Sequence, residues 1–111
     1  MKIKIKPSIL NGKIEIPPSK SYSHRAVIAA ALAENSRKSK IDNLKFSVDI
    51  TTTTDIMENW GAEIERFENA LEIIGNGGKV VPKDKYVQCN ESGSTIRFLI
   101  PIGITDENEL I

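Results

Sequence analysis

Two short segments carry most of the side chains that could handle an anion. The first is Ser19-Lys20-Ser21-Tyr22-Ser23-His24-Arg25, followed directly by Ala26-Val27-Ile28-Ala29-Ala30-Ala31-Leu32-Ala33. The alanine-rich run has high helix propensity, so the polar segment falls at a helix start. The first backbone N–H groups of a helix lack intrahelical partners. The helix dipole adds a partial positive charge worth about 0.3–1 kcal/mol to a nearby anion. Ser21 and Ser23 offer hydroxyl donors, or one of them caps the helix. Lys20 and Arg25 offer full charges, whose hydrogen bonds contribute roughly 1.5–3 kcal/mol each. Arg25 can also grip a phosphate or carboxylate in two-pronged fashion, which lysine cannot. The alternative is a capped helix with two solvated basic residues. Basic residues suit helix C-termini, so two at an N-terminus favour an anion as their partner.

The second segment is Glu91-Ser92-Gly93-Ser94-Thr95-Ile96-Arg97. Gly93 lets a ligand approach the backbone closely. Ser94 and Thr95 are expected to cap a helix or donate to phosphate. Arg97 falls just inside an apolar helical stretch, where a buried guanidinium needs a partner. A structural salt bridge fills that need as readily as a ligand does.

Other reactive types read more plainly. His24 is a helix-start residue, and Cys89 is a small packed side chain with nothing nearby to activate its thiol. Residues 51–54 are four threonines on a helix. Residues 75–78 form a turn, because no lysine-serine pair follows as a phosphate loop requires. One histidine and one cysteine in the whole chain argue against a zinc site and an internal disulfide.

The elements that must position these segments follow from periodicity. Residues 1–6 and 13–16 alternate with period two and read as strands, joined by Asn11-Gly12, a hairpin-turn signal. Pro17-Pro18 stops the second strand and forces an extended approach to the first helix. That helix is apolar nearly all round over residues 26–33, which predicts burial on most sides. Residues 38–42 form a candidate strand. Residues 49–60 read as a second helix, capped by Ser47 or Asp49 and stopped at Gly61. Residues 63–67 and 70–74 read as paired strands, residues 86–89 as a short strand, and residues 96–100 as a third, apolar helix that Pro101 bends or shortens.

The 111 residues suit one domain or a piece of a larger one. Fifteen basic and fifteen acidic residues balance, with no basic block and interleaved aromatics to suggest nucleic-acid binding. No apolar run is long enough to span a membrane, and the alternating N-terminus is unlike a secretory signal. A cytoplasmic enzyme is the simplest expectation. The element order implies an α+β fold built of βαβαββ-like units, with the second copy cut off early, so we expect a fragment.

Residues 18–26, Pro-Ser-Lys-Ser-Tyr-Ser-His-Arg-Ala, resemble the substrate-binding signature of the EPSP synthase (3-phosphoshikimate 1-carboxyvinyltransferase) family. Residues 91–97 look like the same family's phosphoenolpyruvate loop, and the resemblance runs along the whole chain. It implies the enolpyruvyl transferase (EPT/RTPC-like) fold, in which two similar domains of three βαβαββ units enclose a substrate cleft. On that basis residues 1–18 belong to the other, C-terminal domain. Residues 19–111 are then part of the N-terminal domain, with one unit at 19–85 and the start of the next at 86–111. The resemblance implies transfer of the enolpyruvyl group of phosphoenolpyruvate to the 5-hydroxyl of shikimate 3-phosphate. By the same resemblance Lys20 is expected to touch both substrates, Ser21 and Arg25 to hold shikimate 3-phosphate, and Gly93 to line the phosphoenolpyruvate pocket, with Ser94 and Arg97 behind them. No metal or organic cofactor is implied. Many members have Asn at the place of Glu91 and Thr at that of Ser94. The acidic residues of the second domain that serve proton transfer lie outside this chain, so the fragment alone is expected to be inactive. Two alternatives are a stand-alone anion-binding module and the sister transferase acting on UDP-N-acetylglucosamine, which lacks the Ser-Lys-Ser…Arg arrangement.

Overall fold

The computed structural model describes residues 1–104. Within them the order is α1 (Lys20–Leu32), β1 (Lys38–Ile41), α2 (Val48–Asn59), β2 (Glu63–Arg66), β3 (Leu71–Ile74) and α3 (Gly93–Gly103). Each helix begins on a serine in extended backbone. The Ser19, Ser47 and Ser92 hydroxyls accept from the N–H groups of Tyr22, Ile50 and Thr95, which satisfies one otherwise unpaired donor per helix. The cap of α1 is therefore Ser19 and not Ser21 or Ser23. Ser23 lies inside the helix, where its hydroxyl donates to the Ser19 carbonyl at 2.9 Å. Likewise α3 starts at Gly93, capped by Ser92, so Ser94 and Thr95 are first-turn residues and not caps.

The strands form one antiparallel sheet in the order β1-β3-β2. Ile73 pairs with Ser39 on one side and Ile64 on the other. Alternation puts Leu71 and Ile73 on the buried face, where α1 packs against β3. On the opposite face Lys38 reaches Glu72 at 2.8 Å. The core centres on Val27, Ala31, Met57, Trp60, Leu71 and Ile73, each 1% exposed or less. A fully buried side chain of the larger kinds contributes about 1.5–3 kcal/mol. Arg66, at the end of β2, binds Asp55 and Glu58 of α2 at 2.8 and 2.9 Å and fastens the sheet to that helix.

Helix ends explain the loops. Gly61, with φ +102°, turns the chain out of α2 as the left-handed conformation after a helix requires. Residues 75–78 form the expected turn, and it also closes α1: Asn76 and Gly77 donate backbone N–H groups to the carbonyls of Ala31 and Ala33, each at 2.8 Å. Gly75 lies so close that an added Cβ would collide with the Ala33 carbonyl and stand 2.8 Å from that of Ala30.

Several expectations are corrected. Residues 1–6 and 13–16 are not strands, and the apolar residues of that arm, including Ile3, Ile5, Ile14 and Ile16, are exposed. A two-stranded hairpin is marginal by itself in water, and within the described residues nothing pairs with or covers the arm. Residues 86–89 form no strand for the same lack of a ladder. By contrast, residues 26–33 are buried or half-buried as expected in all but Ala29, while Ser21, Tyr22 and Arg25 at the start of α1 are exposed. The helix α3 continues through Pro101 to Gly103. Proline cannot bond the carbonyl four residues back, that of Arg97, and its ring crowds it, and the helix runs only two residues further before it ends. No described helix is long and apolar enough to cross a membrane.

Candidate anion site at three helix starts

The first turns of α1 and α2 lie together, and the first turn of α3 packs against the second turn of α2. Lys20, the first residue of α1, forms an ion pair with Asp49 in the first turn of α2. One turn further, His24 Nδ1 lies 2.9 Å from Thr53 Oγ1. The same offset of 29 positions in both contacts means that α1 and α2 run side by side in one direction. Thr53 Oγ1 then meets Thr95 Oγ1 at 2.8 Å, which brings in the first turn of α3. The Arg25 guanidinium stands 5.5 Å from the Phe98 ring centroid, and Asn90 donates to Thr52 Oγ1 at 2.8 Å. The positive dipole ends of α1 and α2 thus lie side by side.

On the exposed side of α1, Arg25 Nη1 donates to Ser21 Oγ at 2.6 Å, so these two predicted residues are adjacent and pre-aligned. Lys20 keeps a 57% exposed side chain despite its ion pair. Gly93 and Ser94 are exposed at the head of α3, and a Cβ on Gly93 would meet nothing within 4 Å. Arg97 is exposed, not buried as its apolar neighbours suggested; the apolar face of α3 is itself half open, with Ile96 and Ile100 exposed. The guanidinium therefore needs no buried partner. Glu91 is exposed as well.

Burial pushes the His24 imidazole below its ordinary value, with Asp49 opposing and Lys20 assisting. Burial raises the Cys89 thiol, consistent with a packed and unreactive side chain. Among the described residues no group of histidine, cysteine and carboxylate side chains is arranged to hold a metal.

Sequence reasoning missed Asp49, Thr53 and Phe98 as neighbours of the site. One signal was present. Four consecutive threonines circle a helix, so some had to face inward, and Thr52, Thr53 and Thr54 are all buried. Buried hydroxyls require partners: Thr53 meets His24 of α1 and Thr95 of α3, Thr52 accepts from Asn90, and Thr54 donates to the Ile50 carbonyl of its own helix.

The chain is thus a mixed α+β unit with three serine-capped helices, Lys20 and Arg25 on the first and Gly93 opening the third. The family model for EPSP synthase (3-phosphoshikimate 1-carboxyvinyltransferase) matches residues 5–110, and the chain belongs to that family. A 3-phosphoshikimate 1-carboxyvinyltransferase of Clostridium novyi (strain NT) is 46% identical over 117 residues, covering 97% of this chain and 26% of the relative. One of the same name from Clostridioides difficile (strain 630) is 45% identical over 111 residues, covering 92% and 25%. Among solved structures, EPSP synthase from Acinetobacter baumannii superimposes with a TM-score of 0.71 at 26% identity, over 82% of this chain and 21% of that one. The fold is therefore a part of the EPSP synthase fold. The chain spans about a quarter of the length of these relatives.

Proposed function

We propose that this chain supplies one side of the site of a 3-phosphoshikimate 1-carboxyvinyltransferase, in the cytoplasm and within aromatic amino-acid biosynthesis. Lys20, Ser21 and Arg25 hold shikimate 3-phosphate, and Lys20 and Gly93 contact phosphoenolpyruvate, with Ser94 and Arg97 in support. The observation that carries this reading is the meeting of the α1 and α3 starts through Arg25 and Phe98, which sets the two motifs beside each other.

In the reaction, the methylene carbon of phosphoenolpyruvate gains a proton and the 5-hydroxyl attacks the adjacent carbon. The resulting tetrahedral intermediate loses phosphate and the added proton to give the enol ether. The groups described here bind and orient anions, which lowers the barrier through positioning and electrostatic stabilisation. Among the described residues, the carboxylate nearest Lys20 is ion-paired, and His24 is buried. By the family resemblance, proton transfer falls to acidic residues of the second domain, residues 1–18 pair with that domain, and the 111-residue chain alone is inactive.

The test is calorimetric titration of shikimate 3-phosphate into the chain and into a Lys20→Ala variant. Binding by the first and not the second supports the reading. Equal binding by both removes Lys20 from the site. Turnover by the chain alone would overturn its assignment as half a site.

A further inference from the structure

The one histidine of the chain lies on the inner side of α1 and is 1% exposed. From its Nδ1 a line of hydroxyls runs across the molecule: 2.9 Å to Thr53 Oγ1, 2.8 Å on to Thr95 Oγ1, and 2.6 Å on to Ser92 Oγ. Ser92 Oγ also accepts the Thr95 backbone N–H at 3.3 Å. The line thus starts on α1, crosses α2 and ends on the residue that caps α3. Thr53 and Thr95 are 0% exposed and Ser92 is 3%, so bulk water does not compete for these bonds.

Packing alone does not call for this arrangement. Valine has the shape of threonine and would fill both interior positions without a hydroxyl to satisfy. The hydrogens can be counted. Three hydroxyls bring three hydrogens to three side-chain contacts. If Nδ1 accepts, Thr53, Thr95 and Ser92 each donate one step towards His24, every contact is made, and Ser92 Oγ remains free to accept the Thr95 amide. If Nδ1 carries the proton, one hydroxyl hydrogen is left over in the interior. His24 Nε2 has no partner among the described residues in either case. The arrangement with fewer orphans is therefore the neutral imidazole with its proton on Nε2, and it gives the whole line a single direction.

We propose that His24 is a positioning residue: acting through Thr53 and Thr95, it fixes the Ser92 cap and with it the backbone amides of Gly93 and Ser94 at the head of α3. The consequence for ligands rests on the reading above, in which those amides face phosphoenolpyruvate. The two motifs are then not independent. The helix that carries Lys20, Ser21 and Arg25 also sets, through its buried side, the geometry of the other anion-binding turn.

A lone imidazole gives unambiguous nitrogen signals by NMR. Three variants of the chain separate wiring from packing. Thr95→Val keeps the shape but breaks the line at a residue not hydrogen-bonded to His24. His24→Phe fills the space without a polar atom. His24→Asn places an amide atom where Nδ1 stands. We expect Thr95→Val to shift the His24 ring nitrogens, and His24→Phe to displace the Gly93 and Ser94 amide signals. His24→Asn should leave those amides near their original positions. Phosphoenolpyruvate affinity should fall about tenfold in His24→Phe and stay within about twofold in His24→Asn, as loss or retention of one buried hydrogen bond implies. Ring signals that ignore Thr95→Val, or amides displaced equally by Asn and Phe, would overturn the proposal. If His24→Phe does not fold, the ring spectrum of Thr95→Val still decides. A chain that binds phosphoenolpyruvate equally in all three variants also overturns it. A chain that shows the ring and amide shifts but binds neither substrate overturns the site reading instead and leaves the positioning of α3 standing.

Discussion

The Arg25 guanidinium lies over Phe98 at 5.5 Å from the ring centroid while its Nη1 donates to Ser21 Oγ at 2.6 Å. The arginine is thus held at two points before any ligand arrives. A cation over an aromatic face at an exposed position contributes about 0.5–1 kcal/mol. Phe98→Leu should cost stability of that order in denaturant unfolding and free Arg25 to move. Arg25→Lys should leave the fold intact but weaken shikimate 3-phosphate binding by about tenfold, because an ammonium cannot bind in two-pronged fashion. Calorimetry on both variants checks this. Unchanged affinity in Arg25→Lys would remove Arg25 from the phosphate site.

Lys20 should separate binding from folding. Its side chain is more than half exposed, and exposed ion pairs contribute about 0–1 kcal/mol. Lys20→Ala should therefore melt within a few degrees of the parent chain and yet lose anion binding. A large fall in melting temperature would mean that the pair with Asp49 is structural.

His24 makes stability depend on pH in a definite sense. Its folded-state pKa lies below the ordinary value, mainly through burial, so the unfolded chain binds the proton more tightly. The stability linked to His24 is complete above the ordinary imidazole pKa of about 6.5, declines as pH falls below it, and levels off once the folded-state pKa is passed. Urea unfolding through this range should show the decline, and His24→Asn should flatten it. Asp49 opposes the shift and Lys20 assists it, so Lys20→Ala should reduce the slope without abolishing it.

Two glycines should respond in opposite ways. An alanine at Gly75 drives its Cβ into the carbonyls of Ala33 and Ala30, backbone atoms at the end of α1 that cannot swing aside. Overpacking of this kind costs about 1–3 kcal/mol or more, so Gly75→Ala should lower the unfolding midpoint clearly. Gly93→Ala meets no atom of the chain within 4 Å and should leave the midpoint nearly unchanged while reducing phosphoenolpyruvate affinity. A stable Gly75→Ala would contradict the close packing seen here.

Local signals carried α2, β1, β2 and β3 well. The cap at Ser47, the stop at Gly61 and the alternation of residues 71–74 are each written within a few positions, and the structure follows them within a residue. The arm at residues 1–17 shows the converse. Its alternation is as regular as that of β3, but a strand exists only with a partner, and a local pattern cannot say where the partner is. Arg97 was misplaced for a related reason: an apolar helix predicts burial only if something covers it. The contact of Ser21 with Arg25 was legible because helix spacing alone brings positions 21 and 25 together. The contacts to Asp49, Thr53 and Phe98 were not, since they depend on how three helices lie against one another.

The sheet order β1-β3-β2 also constrains time. The central strand, Leu71–Ile74, is the last of the three to be made, and neither β1 nor β2 pairs with the other. As the chain leaves the ribosome, both outer strands wait without a ladder until residue 74 has emerged. All the residues of α1 and α2 have been made by then. The sheet therefore closes in one insertion event, and a nascent chain stopped before residue 71 should have no sheet.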